Sequence, residues 1–220
     1  MKLNKLLTIV ILSFPFYAYG QDSNLGNWLI YFGNKQISPK LNWHSEVQYR
    51  NYNAVGDLEQ LLLRTGLGYN LTENNNNLLL GYGYIISDNY VIGSSEKVIT
   101  LEHRVYQQFI TKQKFNRVKI QHRYRFEQRF LADDFKLRFR YFLAINIPLN
   151  NPTLVDKTMY VSAYNEIFIN TETTIFDRNR VYGGLGYKAS GLLRFEVGYM
   201  NQIFTEGSRD QMNIIAFLNF

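Results

Sequence analysis

The chain has 220 residues, a formal net charge of +6, 16% aromatic residues and no cysteine. The absence of cysteine excludes disulfides, thiolate metal sites and a cysteine nucleophile. The mild basicity does not by itself indicate a nucleic-acid partner, and we expect none.

The first twenty residues have the organisation of a secretory signal peptide. Lys2 and Lys5 precede an apolar run at 6–16, and Ala18 and Gly20 are small residues at −3 and −1 of a cleavage site. The run is shorter than the about 20 residues that a transmembrane helix needs. The sequence therefore predicts a signal peptide over residues 1–20, export, and cleavage after Gly20.

The mature chain, residues 21–220, is predicted to be one domain of β-strands. Polar and apolar residues alternate with a period of two, which indicates strands. The segments with strand character are 28–37, 41–51, 58–70, 78–86, 98–110, 117–130, 135–147, 159–169, 180–187, 193–202 and 212–220. Segment 117–130 alternates for fourteen residues, whereas soluble strands usually have roughly five or six.

Strands of this length are typical of chains that cross a bilayer as a barrel. The sequence therefore predicts an all-β fold, a single transmembrane antiparallel up-and-down β-barrel. An even strand number brings both termini to one side, so we expect ten or twelve strands. One of the eleven segments would then contain two strands or not be a strand, or one strand would be missing from the eleven.

The orientation of the barrel follows from placing the C-terminus in the periplasm. Phe220 ends the last segment, as in strands that the barrel-assembly machinery recognises for insertion. The connections then expected in the periplasm are 38–40, 71–77, 111–114, 148–158 and 188–192. Those expected outside the cell are 51–57, 87–97, 131–134, 170–179 and 203–211.

The charged residues of the strands fall on one face, which we expect to line the lumen. The predicted pore-lining residues are His44, Glu46, Arg50, Arg64, Glu102, Arg104, Lys119, Arg123, Arg125, Glu127, Arg129, Lys136, Arg138, Arg140, Glu166, Arg180, Arg194 and Glu196. A short turn after 98–110 would place Glu102 opposite Arg123, and the next hairpin would place Glu127 opposite Arg138, as cross-strand pairing favours.

Several segments resemble a family of uncharacterised outer-membrane barrels known as domain of unknown function 2490. They are HRYRFEQRF at 122–130, LRFRYFLAINIPL at 137–149, NEIF at 165–168, the Asn-Arg pair at 179–180 followed by GGLGY at 183–187, and Gly-Tyr at 198–199. The resemblance covers nearly the whole mature chain. It implies an exported outer-membrane β-barrel and supplies no activity, substrate or catalytic residue.

Three functions remain open from the sequence. The first is a structural or interaction role in the cell outer membrane, with the lumen closed because Arg and Glu neutralise one another. The second is a narrow porin-like channel for small anionic solutes, because arginines outnumber acids on the inward face. The third is a lipid hydrolase, because the predicted register places His103 opposite His122 on the outward face; we expect no enzyme activity.

The expected partners follow from this location. They are outer-membrane lipid and lipopolysaccharide, the barrel-assembly machinery through Phe220, and small anionic solutes in the channel alternative. No phosphate-binding glycine loop, metal-binding His-x-x-x-His helix or calcium-loop spacing occurs in the sequence, so we expect no cofactor and no metal.

Overall fold

The structure is a computed structural model and describes residues 25–72, 75–172 and 174–220. The signal peptide predicted at residues 1–20 and its cleavage site lie outside the described residues. Within those three ranges, no helix is long and apolar enough to cross a membrane.

The described residues form eleven β-strands of 11 to 19 residues each. They are β1 (Leu25–Gln36), β2 (Leu41–Asn51), β3 (Leu58–Thr72), β4 (Asn76–Tyr90), β5 (Lys97–Phe115), β6 (Val118–Phe130), β7 (Phe135–Pro148), β8 (Thr158–Asn170), β9 (Phe176–Lys188), β10 (Leu193–Ile203) and β11 (Ser208–Asn219). Each of the predicted segments corresponds to one strand.

The strands close into a single barrel. Neighbouring strands along the chain pair antiparallel, whereas β1 and β11 pair in parallel, with Leu29 opposite Ile214. The prediction of an all-β single barrel is confirmed, but the expected number of ten or twelve strands is wrong. The expectation of an even number assumed that the last pair is antiparallel, and the parallel seam between β1 and β11 lets eleven strands close.

Because β1 and β11 run parallel, the first and the last described residues lie at opposite ends of the barrel. We call the end that carries Phe220 the C-terminal end, and the end where β1 begins at Leu25 the N-terminal end. The β1–β2, β3–β4, β5–β6, β7–β8 and β9–β10 connections lie at the C-terminal end, and the other five lie at the N-terminal end.

Except for 131–134, which is as predicted, the connections at the N-terminal end are shorter than predicted. Large parts of 87–97, 170–179 and 203–211 belong to strands, because β4, β5, β9, β10 and β11 extend further than the alternation indicated. The connections themselves are 52–57, 91–96, 131–134, 171–175 and 204–207. The longest connection, 149–157, lies at the opposite end.

The turn of the β5–β6 hairpin lies further along the chain than predicted. β5 continues through 111–114 to Phe115, and Asn116 and Arg117 form the turn. Asn116 has a φ of 53°, in the left-handed region that Asn tolerates better than most residues. The hairpin register therefore differs from the expected one.

The corrected register separates two pairs that the sequence had placed together. Arg123 lies opposite Ile110, so the prediction that it faces Glu102 is wrong. His103 and His122 are not opposite each other either, since each pairs with a different residue of the partner strand. The shift is an even number of residues, so every side chain keeps its predicted face.

Burial along the strands is the inverse of that in a soluble sheet. Arg138 and Arg140 of β7 are 4% and 6% exposed, whereas Phe139 between them is 50% exposed. In β2, Glu46 is buried at 2% and Val47 is 39% exposed. Charged residues are almost never fully buried unless they are paired. The barrel therefore has a charged interior and an apolar outer surface.

One side of the interior is apolar. Trp28, Ile30, Tyr182, Met200 and Ile215 form a buried cluster inside the barrel. They belong to β1, β9, β10 and β11, the strands around the parallel seam. The charged side chains of the interior come mainly from β2 to β9, so the lumen is apolar beside the seam and ionic elsewhere.

Two glycines make room for large rings of the neighbouring strand. Tyr106 lies opposite Gly81 and Tyr160 lies opposite Gly186. A Cβ atom at either glycine would overlap the tyrosine ring. Glycine is required there because the ring packs flat on the backbone of the adjacent strand.

Candidate functional site

A chain of alternating acidic and arginine side chains crosses the interior. Its members are Asp177, Arg138, Glu127, Arg140 and Glu166, which we call the ion-pair chain. The N···O distances along it are 2.8 Å from Arg138 to Asp177, 2.7 Å from Arg138 to Glu127, 2.7 Å from Arg140 to Glu127 and 2.6 Å from Arg140 to Glu166. Glu127 has no exposed surface. Its register opposite Arg138 confirms that cross-strand prediction.

The ion-pair chain continues onto neighbouring strands through Glu166. Arg123 donates to the Glu166 carboxylate at 2.7 Å, and Arg180 lies 3.7 Å from its other oxygen. One carboxylate therefore interacts with arginines from β6, β7 and β9. Such sharing offsets the cost of removing the charges from water.

Two further carboxylates bind arginines inside the barrel. Glu102 accepts two hydrogen bonds from Arg104, at 2.5 and 2.7 Å, and two from Arg129, at 2.6 and 3.0 Å. Glu46 accepts one from Arg64 at 2.6 Å. Two-point contacts of this kind fix the orientation of the guanidinium as well as its charge.

Amides and aromatic rings hold the arginines that have less contact with carboxylates. Arg50 donates to Gln48 at 3.0 and 2.5 Å, and its guanidinium lies 3.7 Å from the centre of the Trp28 ring. Arg125 donates to Gln108 at 2.9 and 2.6 Å. Arg50 and Arg125 are 6% and 3% exposed. Together with the ion pairs, these contacts bury the charged side chains in the N-terminal half of the lumen.

The lumen contains a cavity of about 410 Å³ that lies toward the C-terminal end. Trp28, Arg125, Arg140, Glu166 and Arg180 are among the residues at its inner end. Side chains from the ends of β1, β4 and β11 line its other end, so the cavity reaches the C-terminal end of the barrel. The ion-pair chain thus forms part of its floor.

The wall of the cavity is rich in amides and in positive charge. Among the described residues, its lining includes twelve Asn or Gln, seven Arg or Lys and three Glu. At the mouth, Asn42 donates to Asn34 at 2.7 Å, and Asn77 donates to Asn42 and Asn70, both at 2.8 Å. We call these four side chains, from β1 to β4, the amide arc.

Three cations on other strands also line the cavity wall. Lys112 of β5, Arg123 of β6 and Arg194 of β10 line the cavity, and we call them the cationic arc. The Arg194 guanidinium lies 3.8 Å from the centre of the Phe217 ring, and its nearest carboxylate contact, to Glu196, is 4.0 Å long. Arg194 and Lys112 therefore have little neutralisation by carboxylates, whereas Arg123 shares the Glu166 carboxylate at 2.7 Å.

The N-terminal rim carries a separate polar cluster on the 52–57 connection. Asp57 accepts a hydrogen bond from Tyr90 at 2.9 Å and another from Lys97. Desolvation raises the pKa of the Asp57 carboxyl, but the hydrogen bonds from Lys97 and Tyr90 outweigh it and hold this pKa below its ordinary value.

The predicted pore-lining residues occupy three environments. Those buried in the interior are Glu46, Arg50, Arg64, Glu102, Arg104, Arg125, Glu127, Arg138, Arg140, Glu166, Arg180 and Glu196. Those with partly accessible side chains are His44, Lys119, Arg123, Arg129 and Arg194. Lys136 lies at the N-terminal rim, where it is 2.9 Å from Asp134 and 38% exposed.

Sequence reasoning missed two interior residues, Asp177 and Tyr160. Asp177 was assigned to a connection, but a bulge opposite Phe168 and Ile169 turns it toward Arg138. Tyr160 donates to Glu196 at 2.7 Å. Alternation places Tyr160 on the inward face, but no sequence pattern marks the bulge at Asp177.

The outward histidines each bind a tyrosine. The distance from His103 Nδ1 to the Tyr82 hydroxyl is 2.6 Å, and that from His122 Nδ1 to the Tyr141 hydroxyl is 2.8 Å. Ser45 lies opposite Gly33 and Thr65, away from both histidines. Among the described residues, no hydrogen bond joins a serine to His103 or His122. No group of three His, Asp or Glu among the described residues is arranged to hold a metal ion.

Comparisons with known proteins agree with the resemblance seen in the sequence. A family described as a protein of unknown function (DUF2490) matches residues 25–213. An uncharacterized protein of Methylorubrum extorquens is 30% identical over 185 residues, which cover 80% of this chain and 78% of the relative. No solved structure matches the chain. The chain therefore belongs to the DUF2490 family of proteins of unknown function.

Proposed function

We propose that the protein is an integral β-barrel of the bacterial outer membrane whose lumen is closed, with a structural or interaction role. The observation that supports this proposal is the ion-pair chain, in which fully buried Glu127 binds both Arg138 and Arg140. Because these side chains fill the lumen and neutralise one another, solutes have no open path through the N-terminal half.

The outer surface supports the membrane location. Phe139 and Val197 point outward and are 50% and 49% exposed. Such exposure would be costly in water and is favourable in lipid. A tilted strand needs about 9–11 residues to cross a bilayer, and every strand of this barrel is at least that long. We place the C-terminal end in the periplasm.

An anion-selective channel is the second candidate. The observation in its favour is the excess of seven Arg or Lys over three Glu around the cavity. Positive rings of this kind attract anions. The closed N-terminal half favours the non-conducting alternative.

Conductance across a planar bilayer tests the proposal. We expect purified protein to give no reproducible current, whereas an Arg140→Ala, Glu166→Ala double variant, which removes one charge of each sign from the ion-pair chain, should conduct. The conducting variant shows that insertion succeeded. Steady anion-selective current from the unmodified protein, reduced by neutralising Arg125, would establish the channel instead.

Cell fractionation tests the location. The mature protein should remain in the membrane fraction after alkaline or urea extraction, and it should migrate differently on gels before and after heating. Recovery in the soluble periplasm would refute the membrane proposal.

A further inference from the structure

We propose that the cavity in the C-terminal half of the barrel is a binding site for a small acidic saccharide, a hydroxylated ring that carries a carboxylate or phosphate. The volume of about 410 Å³ lies within the range of small-molecule sites, about 300–1,000 Å³. The ion-pair chain closes the inner end, so a ligand would bind and leave by the same mouth.

The cationic arc supplies the recognition of an anionic group. Arg123 and Arg194 line the cavity and keep accessible side-chain surface, at 15% and 25%. Lys112 lines the cavity and is exposed, and no carboxylate of the described residues lies within 4.0 Å of its ammonium group. Guanidinium groups bind carboxylate and phosphate through two parallel hydrogen bonds.

The guanidiniums of this arc are held in place before any ligand arrives. Arg123 lies 4.3 Å from the centre of the Phe142 ring, and Arg194 lies 3.8 Å from that of Phe217. A group already fixed by a ring loses less conformational freedom on binding than a solvated side chain. This fixation distinguishes the arc from ordinary surface charge.

The amide arc supplies the recognition of hydroxyl groups. Each amide carries two donor hydrogens and an acceptor oxygen, so neighbouring amides can bind a hydroxyl both as donor and as acceptor. Asn77 and Asn42 are hydrogen-bonded to each other and to the amides beside them, which fixes their orientation. A hydroxylated ring with an anionic substituent is the ligand that uses both arcs.

The chain offers a natural reporter for such binding. It has two tryptophans; Trp28 contacts the cavity, and Trp43 lies on the outer face with its indole nitrogen 2.7 Å from Thr65 Oγ1. In a Trp43→Phe background, fluorescence reports Trp28 alone. Titration with digalacturonate should change this fluorescence in a saturable way, and maltose, a neutral disaccharide, should bind at least about ten-fold more weakly because it forms no charge-assisted hydrogen bonds.

Matched variants locate the site. Arg194→Met should weaken digalacturonate binding about ten-fold or more, whereas Lys35→Met, which removes a cation from the outer face of the same end, should leave it unchanged. Glucose 6-phosphate, titrated in parallel, tells whether a phosphate replaces the carboxylate, and binding of either acid supports the shared chemistry. Equal affinity for maltose, no saturable change with either acid, or full affinity in Arg194→Met would overturn the assignment.

The binding result and the conductance result are independent. Only the side from which the ligand enters rests on the proposed function, since it depends on the C-terminal end facing the periplasm. Binding together with steady current would refute the closed lumen and leave the site in place. If the bilayer shows no current and neither acid binds, the binding site is refuted and the closed lumen stands.

Discussion

Replacing Glu127 by Gln should destabilise the barrel strongly, because Glu127 is the central acid of the ion-pair chain. Its carboxylate accepts hydrogen bonds from Arg138 at 3.0 and 2.7 Å and from Arg140 at 2.7 Å, with no exposed surface. Breaking a buried pair by removing one partner costs about 3–5 kcal/mol. Arg138 keeps Asp177 and Arg140 keeps Glu166, so we expect the lower end, about 3 kcal/mol.

Urea titration of the protein in lipid vesicles, followed by tryptophan fluorescence, measures this loss. Glu206→Gln, in the exposed 204–207 turn, is the control and should change the free energy of unfolding by less than about 0.5 kcal/mol. Adding Arg138→Met to Glu127→Gln should restore part of the stability, because no arginine then lies beside the neutral Gln at that position, and Asp177 keeps Arg178 at 3.0 Å. A Glu127→Gln variant as stable as the control would refute the stabilising role of the ion-pair chain.

Three further predictions concern the wall of the barrel. Phe126→Arg on the outer face should make the free energy of membrane insertion less favourable by about 2–4 kcal/mol, the cost of an arginine near the midplane, whereas Phe126→Leu should not. Equal folding yields of the two variants in vesicles would mean that the faces are assigned wrongly. Gly81→Ala should lower the unfolding temperature because its Cβ would overlap the Tyr106 ring, and Tyr106→Leu should relieve that loss; an additive double variant would contradict the contact. A variant with cysteines at Leu29 and Ile214 should form an intramolecular disulfide on oxidation, seen as faster migration of the denatured chain, whereas failure to cross-link would argue against the parallel seam.

The faces of the strands could be predicted from the sequence because the pattern is local. In 117–130 and 135–147, charged and apolar residues alternate without interruption, so each residue's face follows from its neighbours alone. A shift of register by an even number of residues leaves those faces unchanged, which is why Glu102 and Arg123 both point inward although they do not pair.

Features that depend on distant parts of the chain could not be predicted in this way. The alternation continues through 111–114, so nothing in the pattern marks Asn116 as the turn. The inward position of Asp177 depends on a bulge, and bulges interrupt the period without a sequence signature. The cavity depends on how side chains from opposite walls meet, which no single strand specifies.

From the parallel seam we expect closure to be the last event in the assembly of this barrel. Every other strand pair joins sequence neighbours and can form as a hairpin, whereas the seam joins Leu29 to Ile214 across most of the chain. Contacts between residues so far apart in sequence form slowly. Until they form, the protein is a curved sheet with two unpaired edges, β1 and β11, each able to add a strand from another chain. We therefore expect these two edges to be where another protein engages the barrel during its assembly.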